Sequence, residues 1–141
     1  MSDASAAQPQ RINEGEVEEC NSRGRILLVD DEPVVLELLA EILGRAGFSV
    51  ITAGDGEQAQ AVLRSREVDL MVTDLIMPNL EGIETIQAVR RAHPGLKLIA
   101  MSGAFNGPLL KAARLLGADA ALAKPINESD LLSSVNAVLA R

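Results

Sequence analysis

The sequence predicts an α/β fold in which five strands, each followed by a helix, form one parallel sheet. From Arg25 onward, apolar runs of strand length alternate with longer segments of helical period, the pattern of βαβ units. Turn residues of the Gly, Pro, Asn and Asp type separate these runs. A length of 141 residues with 48% hydrophobic content supports one core and leaves no room for a second domain.

Residues 25–30 make the first strand, ending in Asp30, and Asp31 follows it. Pro33 stands where a first helical turn tolerates a missing N–H, so a helix runs from there to about Ala46 and stops at Gly47. Val34, Val35, Leu38, Leu39, Ile42 and Leu43 recur at one-face spacing and are expected to pack in the core. Phe48 to Ala53 is the second strand, and Asp55 caps a helix reaching about Ser65. Residues 69–74 are the third strand, and a Pro- and Gly-punctuated loop leads from there to a helix over about 83–92. His93-Pro94-Gly95 is a turn, 96–101 the fourth strand, 107–117 a helix and 119–123 a short fifth strand. Asn127 caps the last helix, whose buried stripe is Leu131, Leu132, Val135, Val138 and Leu139.

Residues 1–24 lack sustained periodicity and are rich in Ser, Ala, Gln and Glu, which predicts a flexible acidic arm before a domain over 25–141. Its acidic patch, Glu14, Glu16, Glu18 and Glu19, reads first as a solvated surface and second as a segment that orders on contact with a partner. A net charge of -7 disfavours attraction to nucleic acid or anionic membrane. No stretch approaches the roughly 20 apolar residues of a membrane span, and the polar N-terminus lacks a signal-peptide core. The lone Cys20 makes no internal disulfide, so a cytoplasmic location is expected.

In an open parallel sheet, ligands bind beyond the carboxyl ends of the strands, where strand order reverses. The residues at those ends are Asp30 and Asp31, Asp74, Ser102 and Lys124. Each alone has an ordinary explanation: acids before a helix complement its dipole, a serine caps a loop, a lysine solvates a surface. Gathered at one edge they describe chemistry. Converging carboxylates repel unless a divalent cation neutralises them, and hard oxygen ligands with open positions suit Mg²⁺.

Over about residues 25–141 the sequence resembles the receiver domain of bacterial two-component response regulators. The resemblance rests on Asp30-Asp31, on Asp74 within Val72-Thr73-Asp74-Leu75-Ile76-Met77-Pro78, on Ser102-Gly103-Ala104 and on Lys124-Pro125. It implies a flavodoxin-like, doubly wound (βα)5 sheet in the order 2-1-3-4-5, with a cis peptide before Pro125. It implies that Asp74 takes a phosphoryl group from a sensor histidine kinase or a histidine phosphotransfer protein. Asp31, Asp74 and the backbone carbonyl of Ile76 would bind Mg²⁺ directly, and Asp30 through water. Lys124 and Ser102 would contact the phosphoryl oxygens.

The sequence departs from the family pattern at two places. The aromatic usual three positions before the lysine is Ala121, so no ring relays the signal there, and Phe105 is a possible substitute. Ile76 and Ala104 place apolar side chains where groups orienting water would stand, which predicts slow self-dephosphorylation. The expected partner face comprises Leu109, Leu110, Ala113 and Leu116, the fifth strand and the last helix, rimmed by Lys111 and Arg114. With no output domain within these residues, a stand-alone regulator acting on a downstream protein target is expected. A phosphate shuttle or sink in a relay is the alternative. A Mg²⁺-dependent phosphohydrolase of the haloacid dehalogenase type would need a second Asp at position 76, and a flavodoxin a hydroxyl-rich phosphate loop where Asp30-Asp31-Glu32-Pro33 stands. His93, in its turn, lies away from the site edge and is not a relay histidine.

Overall fold

Continuous apolar runs on strands that are covered from both sides set the architecture. A computed structural model describes residues 23–75, 82–103 and 107–141. The elements are β1 Arg25–Val29, α1 Pro33–Arg45, β2 Ser49–Ala53, α2 Gly56–Ser65 and β3 Leu70–Asp74. They continue as α3 Gly82–Ala92, β4 Lys97–Gly103, α4 Gly107–Leu115, β5 Ala120–Lys124 and α5 Glu128–Leu139. All pairings are parallel and the sheet order is 2-1-3-4-5, as the resemblance implied. The Lys124–Pro125 peptide is cis.

Odd and even strand positions divide the core into two layers. Leu27, Val29, Met71, Leu98 and Ala100 cluster with Ala59, Leu63, Ile86, Val89 and Ala113 from α2, α3 and α4. Ile26, Leu28, Leu70, Val72, Ile99 and Met101 cluster with Leu39, Ile42, Leu43, Leu131, Val135 and Val138 from α1 and α5. Each fully buried Leu or Ile of these layers contributes about 1.5–3 kcal/mol, so they hold the strand ends rigidly.

The helix starts follow local chemistry. Asp55 accepts from the Gln58 amide at 2.8 Å and Asn127 from the Asp130 amide at 2.7 Å, so both expected caps form. At α1, Glu32 makes no side-chain cap bond and Pro33 supplies the preset start instead. Gly47 ends that helix at φ 103, in the left-handed region that favours glycine.

Three expectations need correction. Val34 and Leu38 are 75% and 53% exposed, not core: at i and i+4 they form a second stripe of α1, turned away from the stripe that carries Leu39, Ile42 and Leu43. Ala113 is buried and Leu116 packs against the same cluster, so neither belongs to an outward face; Leu115, 80% exposed, does. β4 and β5 run further than their apolar runs, because Ser102 pairs with Ala123 and Gly103 with Lys124 in the parallel ladder. The acidic arm up to residue 22, Ile76, Ala104, Phe105 and the side chains of Leu109 and Leu110 lie outside the described residues.

Candidate functional site

The carboxyl ends of β1, β3 and β5 deliver the site, and each side chain arrives on a paired strand or just beyond one. Asp30 follows β1, with its amide donating to the Ala53 carbonyl at 3.1 Å, so it is held as firmly as the strand. Asp74 is the last residue of β3 and pairs with Met101. Lys124 is the last residue of β5.

Asp30, Asp31 and Asp74 each present a carboxylate oxygen within 4.8 Å of the other two. Asp30 is fully buried and Asp74 nearly so, whereas Asp31 is exposed, so the cluster opens to solvent on one side. The Lys124 ammonium donates to Asp30 Oδ2 at 2.7 Å and lies 3.4 Å from Asp74 Oδ2, with Glu32 Oε1 at 3.9 Å. Asp30 Oδ1 accepts the Glu32 amide at 3.0 Å, which fixes the carboxylate against its own loop. Burial lowers the Lys124 pKa, but the Asp30 hydrogen bond and the charges of Asp74 and Asp30 outweigh it and hold the group above its ordinary value.

Ser102 is 1% exposed, and its hydroxyl has no hydrogen-bond partner among the described residues. An unpaired buried donor one residue beyond the Met101 partner of Asp74 suits an acceptor that arrives from outside. The structure thus unites Asp30, Asp31, Asp74 and Lys124 and sets Ser102 on the neighbouring strand. The Ile76 carbonyl lies outside the described residues. Three acid oxygens with an open side fit a hard divalent cation such as Mg²⁺, which keeps several waters and needs few protein ligands.

Gly82, read from sequence only as loop punctuation, opens α3 directly against the end of β3. Its amide donates to the Leu75 carbonyl at 2.9 Å, and a Cβ there would collide with Leu75 Cα and the Asp74 carbonyl oxygen. Glycine is required by this close approach. A Gly at the first turn after the acidic strand end was the available signal, but only the backbone path shows what it meets.

A hollow of about 370 Å³ adjoins the cluster, lined by Val35, Leu38, Leu39, Lys124, Pro125 and Ile126. Leu38, from the exposed stripe of α1, thus lines the same hollow as Lys124. Ala121 pairs with Ala100 in the ladder and brings no ring to the β5 edge. His93 sits in the turn after α3, at the opposite edge of the sheet, as expected.

Comparison with known proteins agrees with this geometry. The family model "Response regulator receiver domain" matches residues 26–136. The transcriptional regulatory protein CpxR of Escherichia coli K12 is 40% identical over 119 residues, which cover 83% of this chain and 50% of that protein. The alkaline phosphatase synthesis transcriptional regulatory protein PhoP of Bacillus subtilis is 38% identical over 120 residues, covering 83% and 49%. The chain spans about half the length of these curated relatives. Among solved structures, a CheY-like receiver domain protein from Methanospirillum hungatei aligns with TM-score 0.80 at 30% identity, covering 84% of this chain and 95% of that one. The Vibrio cholerae chemotaxis protein CheY4 aligns with TM-score 0.76 at 27% identity, covering 82% and 98%.

Proposed function

The chain belongs to the response regulator receiver domain family, and from that premise we propose that Asp74 is its phosphoryl acceptor in two-component signalling. The observation that carries this reading is the position of the Asp74 carboxylate, which shares one cluster with the carboxylates of Asp30 and Asp31 and lies 3.4 Å from the Lys124 ammonium. Lys124 offsets the Asp74 charge from one side, and the acids Asp30 and Asp31 beside it make a cluster whose negative charge a bound divalent cation would offset.

In the proposed step an Asp74 oxygen attacks phosphorus and the P–N bond of a phosphohistidine breaks. Its electron pair stays on the imidazole, which takes up a proton from solvent. Asp74 becomes an acyl phosphate. Asp31 and Asp74, with Asp30 behind them, are the residues that would hold Mg²⁺; when bound, it supplies positive charge to the phosphoryl oxygens. Lys124 turns from Asp30 and Asp74 toward the new phosphoryl oxygens, and the Ser102 hydroxyl gains its missing acceptor. The domain performs its own phosphorylation and dephosphorylation and turns over no separate substrate.

The donor is a sensor histidine kinase or a histidine phosphotransfer protein, and the hollow between α1 and Ile126 is its docking surface. A donor imidazole must enter at the open side by Asp31, and exposed Val34 and Leu38 give its carrier protein apolar contact there. Output passes to a downstream protein through contacts, with a shuttle or sink role as the alternative destination of the phosphoryl group. Among the described residues no helix is long and apolar enough to cross a membrane, and the proposed location is cytoplasmic.

Phosphotransfer profiling against candidate kinases and phosphotransfer proteins tests the reading, with Asp74→Asn as control. Transfer to the wild type only is expected. Rapid return of phosphate to a donor supports the shuttle role, and transfer to Asp74→Asn at the wild-type rate overturns the assignment.

A further inference from the structure

Thr73 is fully buried one residue before Asp74, in the middle strand of the sheet. Its register partners are Val29 on β1 and Ala100 on β4, both members of the layer that α2, α3 and α4 cover. Partners in register share a face, so the Thr73 side chain enters that apolar layer. Valine has the same branched shape and suits such a strand at least as well, so packing alone does not call for a hydroxyl. A buried hydroxyl needs an acceptor, and this one donates to the Asp74 carbonyl at 3.0 Å.

That carbonyl stands where the ladder continues on one side only. The Leu75 amide donates to the Met101 carbonyl at 2.9 Å, toward β4. In a planar trans peptide the carbonyl points the other way, so the Asp74 carbonyl is turned toward β1. The register of β1 with β3 ends at Val29 and Thr73, and the next β1 residue, Asp30, donates its amide to Ala53 of β2 instead. The Thr73 hydroxyl supplies a donor on the side where the strand has ended. From α3, Gly82 closes over the same peptide: its amide donates to the Leu75 carbonyl at 2.9 Å, and a Cβ on it would lie 2.5 Å from the Asp74 carbonyl oxygen.

We propose that Thr73 is a positioning residue for phosphoryl transfer, its hydroxyl fixing the Asp74–Leu75 peptide and with it the direction in which the Asp74 carboxylate enters the acid cluster. This rests on Asp74 being the phosphoryl acceptor. The carboxylate has to stay 3.4 Å from the Lys124 ammonium and within 4.8 Å of the oxygens of Asp30 and Asp31 at once. The backbone dihedrals of Asp74 decide whether it can, and a nucleophile misplaced by about 1 Å reacts on the order of a hundredfold more slowly. Thr73, with no exposed surface, touches neither cation nor phosphoryl group and acts only through the backbone of its neighbour.

Two pairs of side chains of nearly equal size isolate the hydroxyl: Thr73 against Thr73→Val, and Thr73→Ser against Thr73→Ala. The full chain is phosphorylated with phosphoramidate at saturating Mg²⁺, well below the urea midpoint of every variant, and Mg²⁺ affinity is followed by calorimetric titration without a phosphoryl donor. Within each pair the hydroxyl member should be phosphorylated about tenfold faster, the factor that one hydrogen bond of ordinary strength is worth. It should also bind Mg²⁺ more tightly. Across the pairs, loss of the methyl should lower the urea midpoint and leave the rate in place, so that Thr73→Ser reacts like the wild type although it is less stable. Rates and affinities that follow the methyl, or that are equal in all four proteins, overturn the proposal and leave Asp74 as the acceptor. A wild type that takes no phosphoryl group while Mg²⁺ affinity still follows the hydroxyl overturns the acceptor reading and supports Thr73 as the residue that positions Asp74.

Discussion

The Lys124 ammonium and the fully buried Asp30 carboxylate, 94 positions apart in sequence, form a 2.7 Å hydrogen-bonded ion pair across the carboxyl ends of β1 and β5. Asp74 lies 3.4 Å from the same nitrogen, so one cation compensates two carboxylates that would otherwise face each other. Removing one partner of a buried pair costs more than the pair contributes, because the other charge is left uncompensated.

Lys124→Met is therefore expected to destabilise the metal-free domain by about 3 kcal/mol, read from urea unfolding in EDTA. Saturating Mg²⁺ should recover more stability in the variant than in the wild type, since the cation takes over the lost compensation. Equal Mg²⁺ stabilisation of both proteins would show that Lys124 does not neutralise the acid cluster.

The same pair fixes a pH dependence. Lys124 has a raised pKa in the fold, so its contribution is fully present below the unfolded lysine value of about 10.4 and is lost as pH rises through the higher folded value. Thermal unfolding of the metal-free wild type should show a loss of stability above about pH 10.4 that Lys124→Met lacks. The chain has no tyrosine, and its other lysines are Lys97 and Lys111, so few groups compete in this window.

Most of the fold was legible in the chain because its signals are local. Asp55 and Asn127 cap the helices they precede, and the unbroken apolar run Ile26-Leu27-Leu28-Val29 reads directly as a strand buried on both faces. The acid, hydroxyl and lysine of the site were legible because a strand end is a local property and parallel topology brings strand ends together. What failed was tertiary. Val34 and Leu38 share the helical period of their core neighbours, and only the position of α1 over the sheet separates the two stripes. The collision at Gly82 depends on where α3 starts relative to β3, a distance no spacing encodes.

Asp31 is exposed and bears on the cation more than on the fold, so Asp31→Asn separates the two. Stability should change by no more than about 0.5 kcal/mol, as for an ordinary surface substitution. Mg²⁺ affinity, followed by calorimetric titration, should fall by about tenfold or more, the scale of losses at conserved metal-site partners. Unchanged affinity would remove Asp31 from the ligand set.

Gly82→Ala is expected to destabilise the domain by about 1–3 kcal/mol, because the added methyl overlaps the Asp74 and Leu75 backbone and neither atom is the end of a flexible side chain. Mg²⁺ affinity should fall as well, since the shifted backbone carries the Asp74 carboxylate. Gly44→Ala on α1, where a Cβ meets nothing within 4 Å, is the matched control and should stabilise by about 0.4–1 kcal/mol.

The central claim is that Asp74, in the acid cluster beside Lys124, accepts phosphate. Intact-mass measurement after incubation with phosphoramidate and Mg²⁺ tests it most directly. One phosphoryl group per wild-type chain is expected, with none on Asp74→Asn and none in EDTA. Phosphorylation of Asp74→Asn to the wild-type level with the same Mg²⁺ dependence would contradict the account.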